Sequence, residues 1–551
     1  MCIRDRPYSK HVRDILTVAC LSAILLIALF LRSYNIENVP AFIFKDEAVN
    51  ATDALNALQT KHFKLFYENN NGREGLFINL QALSLKVFGV SIFGLKFWSM
   101  AFGTLTVLGL YLLAKEIWQK RSIALISAYL TAVCYCAVNF SRIGFRAVMM
   151  PFLLAFSFYF FFRGLRTKSL ASFAVSGFVF ALGLHTYIAF RLAPLIFIIF
   201  LVGLVLSHEN FLKLHWKQAV AFIVATVIVA SPMFWDFYQH PNHLMSRAAQ
   251  VSIFSPEINH GHFWGMLAKN ISLSLMKYNF VGDPNWRNNY PPYPTLDPIT
   301  GITFLVGFLY LIPRTLQLLI RRFRDKDRNR ELAINFLFFG WFFTMLMPEF
   351  LTNEGLPHTL RSIGTLPVVM LIASMPFLWI EERLKSAQPG MKTVIIPFIA
   401  FLLAGIGIFN SVKYFVFYAN NPKQHQAFNE NYKNMAQYLL ALPAGDKKYV
   451  FSDSSGILPE NQLPIDVQPI AFLTYGRDIN LSFIMPEQGD DPWSKVSTIQ
   501  SPSTLLLMDN LMDNDDDLVA AVKRQFPNAT SETVDLHPGF GGKFQVLHLP
   551  K

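Results

Sequence analysis

Long apolar stretches, separated by short polar ones, make up most of this chain. An α-helix needs about 20 consecutive apolar residues to cross the hydrocarbon core of a bilayer. The pattern therefore predicts a mostly α-helical, polytopic membrane protein with about eleven membrane helices. The predicted spans are residues 15–31, 91–114, 122–138, 147–162, 171–187, 192–207, 218–234, 299–319, 332–349, 362–380 and 393–417.

Basic residues between the spans predict the orientation of the chain. Lys and Arg gather in alternate loops, and such loops usually stay on the cytoplasmic side. These basic loops lie at 115–121, 163–168, 213–217, 321–330 and 383–392. The opposite loops, at 34–90, 139–146, 235–298 and 350–361, are rich in aromatic, Pro and Asn residues. The distribution predicts a multi-pass protein of the cell membrane with a cytoplasmic N-terminus.

The pattern changes after Tyr418, where shorter apolar segments alternate between strand and helix periodicity. Such alternation is typical of a small α/β domain. Strands are predicted at 447–453, 503–510 and 541–549, and helices at 424–440 and 515–526. We therefore expect a transmembrane core, residues 1–419, with exterior loops 34–90 and 235–298. An extracytoplasmic α/β domain, residues 420–551, follows it.

Composition narrows the possible partners and cofactors. Of the 551 residues, 53% are hydrophobic and only 15% are charged, which is less charge than a soluble protein carries. The net charge is +11, but the basic residues lie in the loops that set topology, so no nucleic-acid partner is expected. No Cys follows residue 136, and no Cys/His metal cluster is visible.

Two adjacent acids, Asp46 and Glu47, stand just after the first span in "FIFKDEAVNATDAL". One interpretation is a helix start, with Asp46 as the N-cap and Glu47 in the first turn. Further along the same loop, Glu74 follows Arg73 in "NGREG", where it would contact a ligand or pair with Arg73. This loop is longer than a simple connection between helices requires.

Several motifs, in order along the chain, resemble those of one family. They are the exterior "DEA", "NGREGLFINLQALSLKVFG", "SRIGFRAVMMP", "GLHTYIAFRLAP", "GDPNWRNNYPPYPTLDPITG" and "GLPHTLRSIGTLP". Together they resemble the GT-C superfamily of membrane glycosyltransferases. The likeness is to its protein-mannosyltransferase/aminoarabinose-transferase group and the RgtA/B/C/D-like bacterial branch. The resemblance covers roughly residues 15–415 and implies the GT-C fold.

The resemblance implies an inverting transfer of a sugar from a polyprenyl-phosphate carrier to a hydroxyl on the extracytoplasmic face. Inversion needs one general base, and a carboxylate beside apolar surface has its basicity raised. Asp46 matches the family's first-loop acid and is the expected base, with Glu47 orienting it or contacting the sugar. In a bacterial inner membrane the carrier would be undecaprenyl phosphate. No motif identifies the donor sugar or the acceptor, which would be a lipid, a polysaccharide or a protein.

Four exterior arginines are the expected ligands of the donor phosphate, because a guanidinium forks onto phosphate oxygens and stays charged near lipid. They are Arg142, Arg146, Arg191 and Arg361. The alternative for each one alone is an interaction with lipid headgroups at the membrane surface. Four arginines outside, against the usual charge bias, favour an anion site.

The other expected substrate-binding residues lie in the same exterior loops. They are Glu74, His185, Tyr187, Asp283, Arg287, Asn288 and His358. A structural role at a helix end is the alternative for His185 and His358, and a turn-forming role is the alternative for Asp283.

Some relatives carry a second acid in the loop after the third span, and "NFSRIGFRAVMMP" has none. We therefore expect a reaction that needs no metal. Two other classes stay open: a flippase or other transporter of lipid-linked sugars, and a non-catalytic partner in envelope polysaccharide assembly. A transporter would place ionisable residues within its spans near the midplane, whereas the candidates here lie at the outer ends.

Overall fold

The structure, a computed structural model, describes residues 7–244, 251–452, 456–485, 496–508 and 515–550. The first helices are α1 (Pro7–Ser33), α2 (Lys45–Thr60), α3 (Leu76–Phe88), α4 (Ile92–Trp118), α5 (Arg121–Val133), α6 (Tyr135–Ser141), α7 (Met149–Thr167), α8 (Leu170–Leu182), α9 (Pro194–Ser207) and α10 (Phe211–Gln239). The later helices are α11 (Pro256–Asn259), α12 (Phe263–Met276), α13 (Pro298–Arg324), α14 (Arg330–Phe350), α15 (Leu366–Lys385), α16 (Pro389–Val412), α17 (Pro422–Ala427), α18 (Glu430–Ala441), α19 (Gln468–Thr474) and α20 (Asp515–Gln525). The strands are β1 (Phe66–Tyr67), β2 (Arg73–Glu74), β3 (Lys447–Phe451), β4 (Leu481–Ile484), β5 (Ser503–Leu507), β6 (Thr530–Asp535) and β7 (Lys543–Leu549).

Within these described ranges, nine helices are long and apolar enough to cross a membrane. They are α1, α4, α7, α9, α10, α13, α14, α15 and α16. Helices α5 and α6, bent by 58° relative to each other, are together long and apolar enough for a further span, and α8 with the turn after it is a shorter apolar helix. Each predicted span corresponds to one of these elements, so the mostly α-helical fold with about eleven membrane helices is confirmed.

The third predicted span is not one straight helix, because it breaks at Cys134. A helix end leaves its last carbonyl groups without partners inside the helix. Arg32, fully buried at the end of α1, donates to two of them: Nη1 to the Ala132 oxygen at 3.0 Å and Nη2 to the Thr131 oxygen at 3.3 Å. This buried cation stabilises the bend, which periodicity alone does not predict.

Small residues let membrane helices approach closely. A Cβ added at Gly177 on α8 would lie 2.2 Å from the Phe222 carbonyl oxygen on α10. A Cβ at Gly203 on α9 would lie 2.6 Å from Cβ of Phe336 on α14. Both distances are far inside van der Waals contact, so these two helix pairs depend on glycine.

The chain divides into two compact units. The membrane unit consists of Met1–Tyr34, Asn71–Leu76 and Ser99–Val416, and contains most of the apolar helices. The α/β unit consists of Asn35–Asn70, Phe77–Trp98 and Phe417–Lys551. The α/β unit is therefore larger than the domain predicted at 420–551, because it also contains much of the first loop.

A five-stranded mixed sheet with the order β4-β3-β5-β7-β6 forms the centre of the α/β unit. Strand β3 pairs in parallel with β4 and β5, while β7 pairs antiparallel with β5 and β6. Strands β3, β5 and β7 and helix α20 correspond to the predicted strands 447–453, 503–510 and 541–549 and the predicted helix 515–526, although residues 453, 509 and 510 lie outside the described residues. The predicted helix 424–440 is instead two helices, α17 and α18, because Asn429 has a left-handed backbone with φ of 53°.

Helix α2 belongs to the core of the α/β unit. Its Ala48, Ala51, Ala54 and Leu55 lie in one buried cluster with residues of α18, α19, β3 and β7. Polar contacts add to this packing. The ammonium group of Lys45 lies 2.9 Å from Oδ1 of Asp466, and the Thr52 hydroxyl donates to Oε1 of Gln468 at 2.7 Å. The C-terminal part of the chain therefore fixes the helix that carries Asp46 and Glu47.

Replacing Gln468 with Leu should loosen α2. The buried Gln468 side chain accepts from Thr52 and also donates to the Leu463 and Pro464 carbonyl oxygens. Leucine leaves these groups unpaired, at a cost of about 1–3 kcal/mol for each buried group. We expect amide hydrogen exchange in α2 to be at least about 10-fold faster than in the wild type. Gln525→Leu, at an exposed position, is the control, and unchanged exchange in Gln468→Leu would contradict this packing.

Candidate active site

Glu47 and Asp46 lie in the first turn of α2. The N-cap is Phe44, so the sequence-based assignment of Asp46 as N-cap is wrong. Glu47 is fully buried, and its Oε1 accepts a hydrogen bond from the Phe44 amide at 3.0 Å. A carboxylate in this position satisfies a free amide and suits the positive end of the helix dipole. Glu47 therefore fixes the turn that presents Asp46.

Asp46 is partly buried, and its Oδ1 accepts from Nδ2 of Asn70 at 2.9 Å. Asn70 has a left-handed backbone with φ of 49°, which Asn tolerates better than most residues. The neighbouring Asn69 amide donates to carboxylates of Asp53 and Glu460, and this contact holds the same loop. Asp46 is thus an oriented, partly exposed carboxylate.

The membrane unit brings Glu74 together with two of the predicted arginines. Glu74 lies at the end of β2, and its side chain is only 2% exposed. Its Oε2 lies 3.3 Å from Nε of Arg146, and its Oε1 lies 2.9 Å from Nη2 of Arg191. The sequence offered Arg73 as the alternative partner of Glu74. The structure shows that Glu74 binds these two distant cations, so we name these three residues the arginine–glutamate triad.

Aromatic rings and a free donor complete the surroundings of the triad. The Arg146 guanidinium lies over the ring of Tyr187 at 5.3 Å, and that of Arg191 over Phe237 at 4.7 Å. Arg191 also donates to the Leu244 carbonyl oxygen. Its Nε is buried and has no hydrogen-bond partner among the described residues. The triad has two positive charges against one negative charge, and within the described part of the chain one of its N–H groups has no acceptor.

Arg142 and His185 make different contacts. Arg142 is fully buried and donates to the carbonyl oxygens of Leu31 at 2.8 Å and Tyr34 at 2.6 Å. His185 is buried, with Nε2 2.8 Å from the Val229 carbonyl oxygen on α10. Both sets of contacts tie helices together and support structural roles.

A second polar cluster surrounds Asp283, which is fully buried. It accepts from the Thr359 amide at 2.7 Å, the Asn285 amide at 2.8 Å and Nδ2 of Asn288 at 3.0 Å. Burial raises the pKa of Asp283 from 3.8 to about 6, with these hydrogen bonds opposing the rise. Asp283 and Asn288 therefore join the 277–297 segment to the loop before α15, which agrees with the turn-forming alternative.

Beside this cluster, Lys277 and Glu349 form a fully buried ion pair that also contacts Ser362. Burial lowers the pKa of Lys277, but the charge and hydrogen bond of Glu349, together with the nearby Tyr278 and Cys136, raise it above its ordinary value overall. The other oxygen of Glu349 accepts from the His358 amide at 3.1 Å. Sequence analysis did not select this pair, because its partners lie 72 residues apart and belong to no common motif.

His358 and Arg361 lie in the loop before α15. Burial, together with the charges of Arg361, Arg287 and Lys277, lowers the pKa of His358 well below its ordinary value. Its Nδ1 is buried without a hydrogen-bond partner among the described residues. Arg361 pairs with Glu354 and donates to Oγ1 of Thr352 at 2.5 Å. The neutral His358 can therefore offer one unused ring nitrogen to a ligand.

Two groups within the described residues could hold a metal ion, although neither was expected from the sequence. Asp236, His240 and His243 form one in the membrane unit, and His425, Glu430 and His537 form the other in the α/β unit. In each group the ligand atoms lie within 4.8 Å of one another. The spacings Asp236–His240–His243 and His425–Glu430 are visible in the sequence, but His537 joins only through the fold.

The raised pKa of Asp283 predicts a pH dependence of stability. Between pH 3.8 and about 6 the folded protein keeps a proton that the unfolded chain releases, so stability falls as pH rises through this window. The expected loss is about 3 kcal/mol. We therefore compare the apparent unfolding temperatures of wild type and Asp283→Asn at pH 4 and pH 6. The difference, wild type minus variant, should be smaller at pH 6 than at pH 4. Asp325→Asn, at an exposed aspartate, is the control, and parallel curves for wild type and Asp283→Asn would contradict the assignment.

Part of the chain matches a known protein family. Residues 76–235 match the family model described as dolichyl-phosphate-mannose-protein mannosyltransferase. No curated protein sequence matches the chain.

Solved structures of ArnT share the fold over nearly the whole chain. ArnT from Cupriavidus metallidurans in the apo state superposes with a TM-score of 0.55 at 11% identity, covering 98% of each chain. ArnT bound to undecaprenyl phosphate gives 0.53 at 10% identity, covering 97% of each chain. The apo oligosaccharyltransferase of Archaeoglobus fulgidus gives 0.47 at 12% identity, covering 83% of this chain but 64% of that one. The resemblance to the GT-C membrane glycosyltransferases is confirmed, and the chain is a multi-pass membrane protein with the GT-C fold.

Proposed function

We propose that the protein is an inverting glycosyltransferase. It would move a sugar from a polyprenyl-phosphate carrier to a hydroxyl acceptor on the extracytoplasmic face of the membrane. The family match over residues 76–235 and the ArnT-like fold support the reaction class. ArnT has been solved with undecaprenyl phosphate bound, which supports this carrier for a bacterial inner-membrane enzyme.

The arginine–glutamate triad is the observation that carries the proposal. Two guanidinium groups share one buried carboxylate, so the triad has a net charge of about +1. A sugar linked to a lipid through a phosphodiester carries one negative charge, which this excess would balance. Nε of Arg191, which has no hydrogen-bond partner among the described residues, is a ready donor to a phosphate oxygen.

The departing polyprenyl phosphate gives a second role to the two arginines of the triad. When the bond between the anomeric carbon and the phosphate oxygen breaks, both electrons stay on the polyprenyl phosphate and its negative charge grows. Arg146 and Arg191 would stabilise this charge more strongly than that of the intact donor, which lowers the barrier. Since the cations are already present, we propose that no metal takes part in this step.

Asp46 is the proposed general base. The acceptor hydroxyl oxygen attacks the anomeric carbon from the face opposite the phosphate, and Asp46 takes the hydroxyl proton. The hydrogen bond from Asn70 orients the carboxylate without neutralising it. Glu47 acts as a positioning residue, because its carboxylate fixes the first turn of α2.

The remaining candidates divide according to their contacts. We propose that Tyr187 contacts the sugar or phosphate, because its ring packs against Arg146. We propose the same for His358, whose Nδ1 has no hydrogen-bond partner among the described residues. Arg287 and Arg361 are proposed to lie near the same ligand, because their charges act on His358. Arg142, His185, Asp283 and Asn288 are proposed to be structural, because backbone and amide groups occupy their polar atoms. A cytoplasmic N-terminus would place all of these loops on the outer side.

Asp46→Asn should abolish transfer while the donor still binds. An amide cannot take the acceptor proton, so the turnover number should fall by roughly 10²–10⁴-fold. Purified wild type and variant are compared in transfer from radiolabelled polyprenyl-phosphate sugars and in donor binding. Asp446→Asn, at an exposed aspartate of the α/β unit, is the matched control. Full activity in Asp46→Asn would refute the base assignment.

Arg191→Lys should weaken donor binding and turnover together. Lysine keeps the charge but cannot reach Glu74, the His243 and Leu244 carbonyl oxygens and a phosphate at once. Loss of one charge-assisted hydrogen bond costs about 1.5–3 kcal/mol, so kcat/KM should fall roughly 10- to 100-fold. The measurement also includes inhibition by free polyprenyl phosphate, which should weaken in parallel.

The control for this variant is Arg163→Lys, on α7, where the guanidinium contacts Tyr159. If Arg191→Lys transferred sugar with wild-type kcat/KM, the phosphate-binding role of the triad would be wrong.

A further inference from the structure

The α/β unit contains a cluster of titratable groups that the proposed reaction does not use. His425 lies on α17, Glu430 is the first residue of α18, and His537 follows β6. Nδ1 of His425 lies 2.6 Å from Oε2 of Glu430, and Nδ1 of His537 lies 3.0 Å from Oε1 of the same carboxylate. Both histidines thus direct the same type of nitrogen at one carboxylate.

The surroundings of His425 call for a positive charge beside its Nδ1. Its Nε2 lies 2.8 Å from the Ala419 carbonyl oxygen, which only accepts, so Nε2 carries a proton. In a neutral imidazole Nδ1 is then an acceptor, yet it faces a carboxylate oxygen, which also accepts. Either a second proton or a metal ion resolves this contact. A backbone carbonyl on the far nitrogen is the usual partner of a histidine that binds a metal.

Aromatic packing fixes the rings of both histidines. Phe540 stacks on His537 at 4.1 Å with an interplanar angle of 9°, and its ring lies 4.5 Å from that of His425. His425 and Glu430 are buried, whereas the His537 side chain is 43% exposed. The cluster is therefore held in place on one side and open to water on the other.

We propose that His425, Glu430 and His537 bind one divalent transition-metal ion, of the Zn²⁺ class. The ligands are Nδ1 of each histidine and the carboxylate of Glu430, with water on the exposed side. Imidazole and carboxylate suit zinc, and three protein ligands with an open fourth position are a common zinc arrangement. The site goes beyond the proposed sugar transfer and does not depend on it.

The distances are compatible with metal uptake after a small adjustment. Zinc–nitrogen bonds of about 2.0–2.1 Å place tetrahedral ligand atoms about 3.3 Å apart. The three ligand atoms here already lie within 4.8 Å of one another, so shifts on the order of 1 Å are sufficient. The exposed His537 follows β6 in a turn that contains Gly539 and Gly541, both with positive φ, so this ligand has the most room to move.

Such an ion would join the start of α18 to the connection between β6 and β7. One turn further along α18, the ammonium group of Lys433 donates to Oδ1 of Asn38 at 3.0 Å and to the Ala41 carbonyl oxygen at 3.2 Å. These two residues precede α2 in the chain. The metal would therefore stabilise the same helix that holds the segment leading to Asp46.

The test uses the full-length protein in detergent, stripped with a chelator and then titrated with ZnCl₂ or CoCl₂. All variants carry His243→Ala, so that the group at Asp236, His240 and His243 does not contribute. We expect one Zn²⁺ per chain and the visible absorption of tetrahedral Co²⁺. His537→Ala should weaken binding more than about 100-fold, since even changes in the partners of metal ligands cost 10- to 100-fold.

Two further variants separate binding from folding. His537→Cys keeps a ligand at this position, so it should restore Co²⁺ binding and add a thiolate-to-cobalt charge-transfer band. His548→Ala removes a histidine that pairs with one glutamate, Glu532, on the same sheet, and should leave binding unchanged. The proposal is overturned if the stripped protein binds no Zn²⁺ at micromolar concentrations, or if His537→Ala binds it as tightly as its His243→Ala parent.

Discussion

A buried carboxylate needs cations beside it, and Glu74 has two. A charge removed from water is expensive unless hydrogen-bonded ions compensate for it. Arg146 and Arg191, each placed by a short 3-10 turn after a loop, meet Glu74 from different parts of the membrane unit. This interaction holds the loops together and leaves an excess of positive charge on side chains that are mostly buried. The proposed binding of the donor phosphate depends on that excess.

The proposed catalytic base, Asp46, depends on a different constraint. Helix α2 is short, and its apolar face would be poorly covered without the C-terminal segments. Alanines of α2 pack against α18 and α19, while Lys45 and Thr52 make polar contacts with residues 466 and 468. The C-terminal chain therefore has a physical role beyond that of an appended domain: it holds the turn in which Glu47 orients the backbone of Asp46. A metal at His425, Glu430 and His537 would strengthen the same scaffold.

The sequence predicted well those features of the fold that a local pattern of neighbouring residues encodes. Hydropathy located every apolar span, and strand periodicity found β3, β5 and β7, because both signals lie in adjacent residues. The bend at Cys134 escaped prediction, since its stabilising partner, Arg32, is about a hundred residues away. The phosphate-binding role of the four exterior arginines stays a prediction, and only the contacts with Glu74 separate Arg146 and Arg191 from the buried Arg142. Likewise His537 joins Glu430 across 107 residues, a separation at which no motif is visible.

The most direct test of the account is the anomeric configuration of the transferred sugar, determined by NMR on the product of a reaction with a polyprenyl-phosphate sugar of known configuration. A single displacement assisted by one carboxylate predicts that the configuration in the product is opposite to that in the donor. Retention would require two successive displacements through a covalent intermediate. That result would contradict the role assigned to Asp46 as the general base of a single displacement.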